Sequence, residues 1–148
     1  MPTAHATHTS HITALIASRL DVLRSMRARH NSITTAQAHL LIIQAVDAIS
    51  DSAPPQPSPD PDNSESALAI LLEQELGLWA RLDELFKERD GEQRQLIAAR
   101  ALGMAASTIA LIENHLNNIP KDILHVLREI EQLLENERTA NRHYALAA

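Results

Sequence analysis

Glu92 to Asn118 reads EQRQLIAARALGMAASTIALIENHLNN, and the way this stretch folds decides the architecture of the chain. As one uninterrupted helix it repeats every seven residues, with Gln95, Leu102, Ile109 and Leu116 on one line flanked by Ala98, Ala99, Ala105, Ala106 and Ile112. Branched side chains alternating with alanines let a second helix approach closely. On that reading Ala98, Leu102, Ala105, Ile109 and Leu116 form a candidate interaction face. The alternative is a helix, a turn at Gly103 and a second helix.

Outward from this stretch the composition points the same way. Aromatic residues are limited to Trp79, Phe86 and Tyr144, and there are three glycines, so a core must come from Leu, Ile, Val and Ala. That favours helices over a sheet and predicts an all-α fold. A chain of 148 residues buries roughly two thirds of its unfolded surface and needs no staple. The absence of cysteine removes disulfides, thiol catalysis and cysteine-based zinc sites, and fits a reducing cytoplasm. A net charge of −6 argues against nonspecific binding to nucleic acid or anionic membrane. Arginine outnumbers lysine eleven to two, which with abundant alanine suggests a GC-rich bacterial genome. No run of 18 apolar residues predicts a membrane span, and the N-terminus lacks the pattern of a secretion signal.

On the N-terminal side, residues 1–9 form a polar lead. His5, His8 and His11 fall three apart, but no carboxylate accompanies them and no metal site is assigned. Residues 10–51 read as a helical hairpin. Ile12, Leu15, Ile16, Leu20, Leu23 and Met26 make the stripe of its first helix, with Arg19, Arg24, Arg27 and Arg29 expected on the solvated face. Thr34 and Gln37 form a capping box that opens the second. Leu40, Leu41, Ile42, Ile43, Val46 and Ile49 make that helix apolar almost all round, so it is expected to be the most buried. Residues 52–63 hold five prolines and read as a linker.

Residues 64–139 are expected to form a three-helix bundle, which brings the total to about five helices. Its first helix reaches about Arg89, with Leu72, Trp79 and Phe86 at heptad spacing, and stops at Asp90-Gly91. Its last begins at Pro120 and runs to about Arg138 on Ile123, Val126, Leu127, Ile130, Leu133 and Leu134, with Glu137 among its solvated charges. Residues 140–148 read as a flexible tail.

No constellation supports catalysis. Asp122 with His125, His125 with Glu129, and Glu113 with His115 fall short of the ligand count of a di-iron bundle, and Ser107 and Thr108 have no base at a readable spacing. No enzyme activity and no cofactor are expected. The surplus apolar width of the helices instead predicts a cytoplasmic bundle protein that works through protein contacts, as a homo-oligomer or with another helical protein.

Two local resemblances accompany this reading. Gln95, Ala98-Ala99, Leu102-Gly103-Met104, Ser107-Thr108-Ile109, Ile112-Glu113-Asn114 and Pro120 together resemble a helix-turn-helix of the lambda-repressor type. That resemblance implies a DNA-binding regulator, with Ser107, Thr108 and Asn114 as the best polar contacts. Against it, no Lys or Arg occurs between Arg100 and Lys121. Tyr144-Ala145-Leu146-Ala147-Ala148 resembles the end of the degradation tag that bacterial transfer-messenger RNA appends. It implies recognition of Leu146, Ala147 and Ala148 by a Clp-type protease, with a frayed alanine-rich terminus as the alternative.

Overall fold

The computed structural model describes residues 4–52 and 64–146, with side chains described over 10–52 and 67–143. Among these residues the fold is all-α: α1 (Ala4–Arg29), α2 (Thr35–Ser52), α3 (Ser64–Ala101) and α4 (Ala106–Leu146). Each helix packs on two others, α1 on α2 and α4, and α3 on α2 and α4, which closes a ring of four around one core. Contacts fix the directions. Arg27 meets Glu131, Arg19 meets Glu137 and Asn141 meets Thr13, so α4 descends as α1 ascends. Thr35 bonds the Phe86 carbonyl and His39 meets Asp83, so α2 and α3 are likewise antiparallel.

Four helices replace the expected five because three boundaries fall elsewhere. Asp90-Gly91 does not stop α3. Gly91 keeps a negative φ, and Asp90 pairs one turn ahead with Arg94 at 2.8 Å, so nothing diverts the backbone from the helix. Pro120 lies inside α4 rather than opening a new helix. Its ring removes one helical hydrogen bond, a local cost that the buried Ile119 and Ile123 on either side offset. The stretch from Glu92 to Asn118 is not one helix. The amide of Met104 reaches the carbonyl of Ala99 at 3.0 Å and that of Gly103 reaches Arg100 at 3.2 Å, the paired bonds of a Schellman motif, with Gly103 at φ +66°.

The capping box of α2 forms as read. The Thr34 amide donates to Oε1 of Gln37, and the Gln37 amide to Oγ1 of Thr34, both at 3.1 Å. Yet α2 is not the most buried element. It faces the core with Ala38, Ile42, Ala45, Ala48 and Ile49, small residues that bring it close, while Leu40 and Ile43 point to solvent. Arg89 fastens the α1–α2 turn. Its guanidinium donates to the carbonyls of His30 (2.5 Å) and Ile33 (2.7 Å) and lies 4.8 Å from the Phe86 ring.

Ser52 belongs to the end of α2, not to the linker, and is fully buried. The rest of the expected linker, 53–63, lies outside the described residues, as do the side chains of His5 and His8. The expected tail does not begin at Ala140. α4 continues through Leu146, and the nearly buried Asn141 donates to Thr13 Oγ1 at 3.0 Å. Ala147 and Ala148 lie outside the described residues. No helix among those described is long and apolar enough to cross a membrane.

Candidate functional site at the end of the α3–α4 hairpin

α3 and α4 outrun the α1–α2 hairpin. Arg89 and Ile119 mark the last level at which all four helices meet. Beyond it, residues 90–101 of α3 extend about 18 Å to the turn, and α4 returns alongside. Polar contacts here run from α3 to α4: Arg100 to Glu113 at 3.0 Å, and Glu88 to His115 at 2.7 Å. Within 90–118 only Leu96 and Ala99 are buried, while Ile109, Ile112 and Leu116 are half-buried, and the core cluster takes none of residues 90–115.

This end therefore presents apolar side chains to water. Ile97 is 69% exposed, Leu102 78%, Leu111 70% and Met104 45%. Between the helices runs a groove of about 500 Å³ lined by Gln95, Ala98, Ala99, Leu102, Met104, Thr108, Leu111 and Ile112. Clustered exposed apolar surface of this kind marks an interaction site more often than scattered leucines do. The electrostatics are mild. Residues 92–118 hold Glu92, Glu113, Arg94 and Arg100, whose charges cancel, whereas the whole chain carries −6.

Of the residues expected on the interaction face, Ala98 and Leu102 line the groove. The turn separates them from the others: Ala105 is exposed within it, Ile109 is half-buried on α4, and Leu116 packs against the core. The single-helix line that joined them does not exist, because the chain reverses at Gly103. Of the residues implied as DNA contacts, Thr108 lies in the groove while Ser107 and Asn114 are exposed. Sequence reasoning missed Leu111, Met104 and Ile97. The signal was their position on both arms of one reversal, which a continuous helical wheel scatters.

A second constellation lies deep in the bundle. Arg19 is fully buried, contrary to its expected solvated position, and reaches the three other helices. Its Nε lies 2.9 Å from Oε2 of Glu75, NH2 bonds Oε1 of Glu137 at 2.6 Å, and NH1 donates to Ser52 Oγ at 3.1 Å. Glu75 also accepts from Trp79 Nε1 at 2.7 Å, and Ser52 Oγ donates to the Ala48 carbonyl at 2.7 Å. Two carboxyls thus face one guanidinium where water cannot reach. Burial, followed by the hydrogen bond and the charge of Glu75, raises the pKa of Glu137 to about 9 against the opposing pull of Arg19. Oε1 of Glu75 and Oε2 of Glu137 have no donor, a situation that one shared proton relieves. Glu137 too was expected on the surface. Closed from solvent on every side, the cluster keys helices together rather than meeting a solute.

Elsewhere Asp83 receives Lys87 at 2.9 Å and His39 at 3.0 Å. Partial burial pushes its pKa up, but the hydrogen bonds and charges of those two partners outweigh it and hold the carboxyl below its ordinary value. No group of three or more His, Asp or Glu among the described residues is arranged to hold a metal ion. Compared with known proteins, the chain matches no family model, and no curated protein or solved structure gives a significant match.

Proposed function

We propose that this is a non-enzymatic helical-bundle protein that acts through protein contacts, self-association included, and that the end of the α3–α4 hairpin is its contact surface. One observation carries the reading: Leu102, Met104 and Leu111 are exposed together along one groove of a hairpin that leaves its own bundle. A monomer with no use for that surface would gain solubility by making it polar. Replacing Leu102 and Leu111 with glutamate should leave helix content nearly unchanged while weakening association about tenfold or more in sedimentation and crosslinking. Unaltered association in the double variant would sink the proposal.

The rival reading, a DNA-binding regulator, draws support from the turn at Gly103, which a helix-turn-helix requires. Two observations weigh against it. A recognition helix crosses its partner steeply so that it can enter the major groove, whereas α4 runs back along α3. The surface beside the turn also offers little positive charge to phosphate. Salt-dependent retention of duplex DNA, weakened by alanine at Ser107, Thr108 and Asn114, would favour the regulator instead.

A further inference from the structure

We propose that the occupant of the apolar groove is a second copy of this chain, laid antiparallel over the first so that two hairpin ends build one four-helix cross-section. The inference rests on the contact-surface reading above and names its partner and geometry. In the body of the molecule, α3 and α4 are covered by α1 and α2. Past Arg89 and Ile119 the same two helices run on beyond α1 and α2 among the described residues, apart from the start of α2, where Thr34, Thr35 and Ala36 share a surface cleft with Asp90 and Arg94. What is missing there is a pair of antiparallel helices of about three turns each. The end of a second copy is such a pair.

Charge and symmetry agree with a second copy at the uncovered end. Within 90–118 Asp90, Glu92 and Glu113 stand against Arg94 and Arg100, a net charge of −1, so two copies meet there with far less repulsion than net charges of −6 would produce across other surfaces. A twofold arrangement is closed, because each groove is filled by the other's Leu111 and Leu102 and no free copy of the patch remains. Ala98 and Ala99 on the groove floor permit close approach.

The geometry sets the test. In an antiparallel overlap the twofold axis passes near the middle of the groove, at the level of Ala98 and Leu111, while Met104 at the turn lies towards the partner's body. The chain has no cysteine, so single substitutions report cleanly. Leu111→Cys, or Ala98→Cys as an independent second position, should oxidise to a disulfide-linked dimer, since symmetry brings each to its own copy within the ~4.4–6.8 Å Cα separation a disulfide needs. Met104→Cys should stay largely unlinked. The unmodified chain should sediment as a dimer at micromolar concentration, and Leu102→Glu with Leu111→Glu should weaken the dimer by about tenfold or more. Linking through Met104→Cys but neither mid-groove cysteine would overturn the overlap in favour of end-to-end contact. A strictly monomeric purified chain would overturn the second copy altogether. In that event a photo-crosslinker at Leu111 in cells separates the two proposals. Capture of a different polypeptide leaves the contact surface standing, and no capture removes it as well.

Discussion

Arg19 is the residue on which the core turns. It sits in phase with Ile12, Ile16, Leu23 and Met26, just as Glu75 sits in phase with Leu68, Leu72, Trp79 and Leu82, and Glu137 with Ile130 and Leu134. The spacing holds that phase, although Arg19 and Glu137 were expected opposite the stripes, on the solvated faces. The burial was not legible in the sequence, because a charged residue on an apolar stripe is ordinarily displaced to the rim, and that rule yields where three helices each supply a partner. A test follows from proton balance. In the unfolded chain the Glu137 carboxyl titrates near 4.5, and in the fold near 9, so between those values the folded state holds a proton that the unfolded state has lost. This contribution is therefore fully present below about pH 4.5 and is lost as the pH rises through about 9, at up to about 1.4 kcal/mol per pH unit. Glu137→Gln, which keeps the shape and removes the titration, should flatten urea-unfolding stability between pH 6 and 9. A slope unchanged in that variant would refute the assignment. Arg19→Met should cost about 3–5 kcal/mol at neutral pH by stranding both carboxyls, and a loss under about 1 kcal/mol would show that the cation is dispensable.

At the level of elements, the reading succeeded where a local signal had a local cause and failed where one glycine or proline had to be weighed against packing. The capping box and the apolar stripes of α1 and α3 were plain from spacing. Gly91 and Gly103 look equally able to stop a helix, yet only Gly103 takes up the left-handed backbone. The difference lies in packing: beyond Gly91 the helix still buries Leu96 and Ala99, whereas beyond Gly103 the next buried residue is Ile119. The two glycines should therefore respond oppositely to alanine. A side chain at Gly91, or at Gly77, meets nothing within 4 Å in a helical backbone, so each substitution should stabilise by about 0.5–1 kcal/mol. Gly103→Ala also meets open space but must hold φ +66°, and should destabilise by about 1–2 kcal/mol. Thermal melts of the three variants decide the matter, and a stabilised Gly103→Ala would mean that the reversal is not the one described.

At the scale of the molecule, the described residues form a ring of four helices with a two-helix extension, and cooperativity should divide along that line. Amides of 95–112 should exchange with deuterium well before those of 68–86 and 123–137, because the extension buries little beyond Leu96 and Ala99. Equal protection in a monomeric sample would count against this division. Upon dimerisation by the geometry proposed above, the extension should gain protection. The ring itself could not be read from sequence, since it depends on which apolar stripes meet, and stripe width alone admits several arrangements. The C-terminal resemblance to a degradation tag remains open to a direct measurement: aspartate at Ala147 and Ala148 should lengthen the half-life in bacterial cells several-fold if the end is a degron, and leave it unchanged if it is not. The anchoring of α4 bears on how any such extraction would proceed. Tension applied at Leu146 runs lengthwise along α4, against neighbours lying parallel to the pull, so the load falls in shear on the Asn141–Thr13 contact and next on the Glu137–Arg19 pair. The first polar contacts such a pull meets thus lie within the last three turns of α4, ahead of the buried Leu134, Ile130 and Leu127. A motor that passes Glu137 leaves Arg19 short of a partner in the core, and beyond that point the rest of the bundle should come apart in one step.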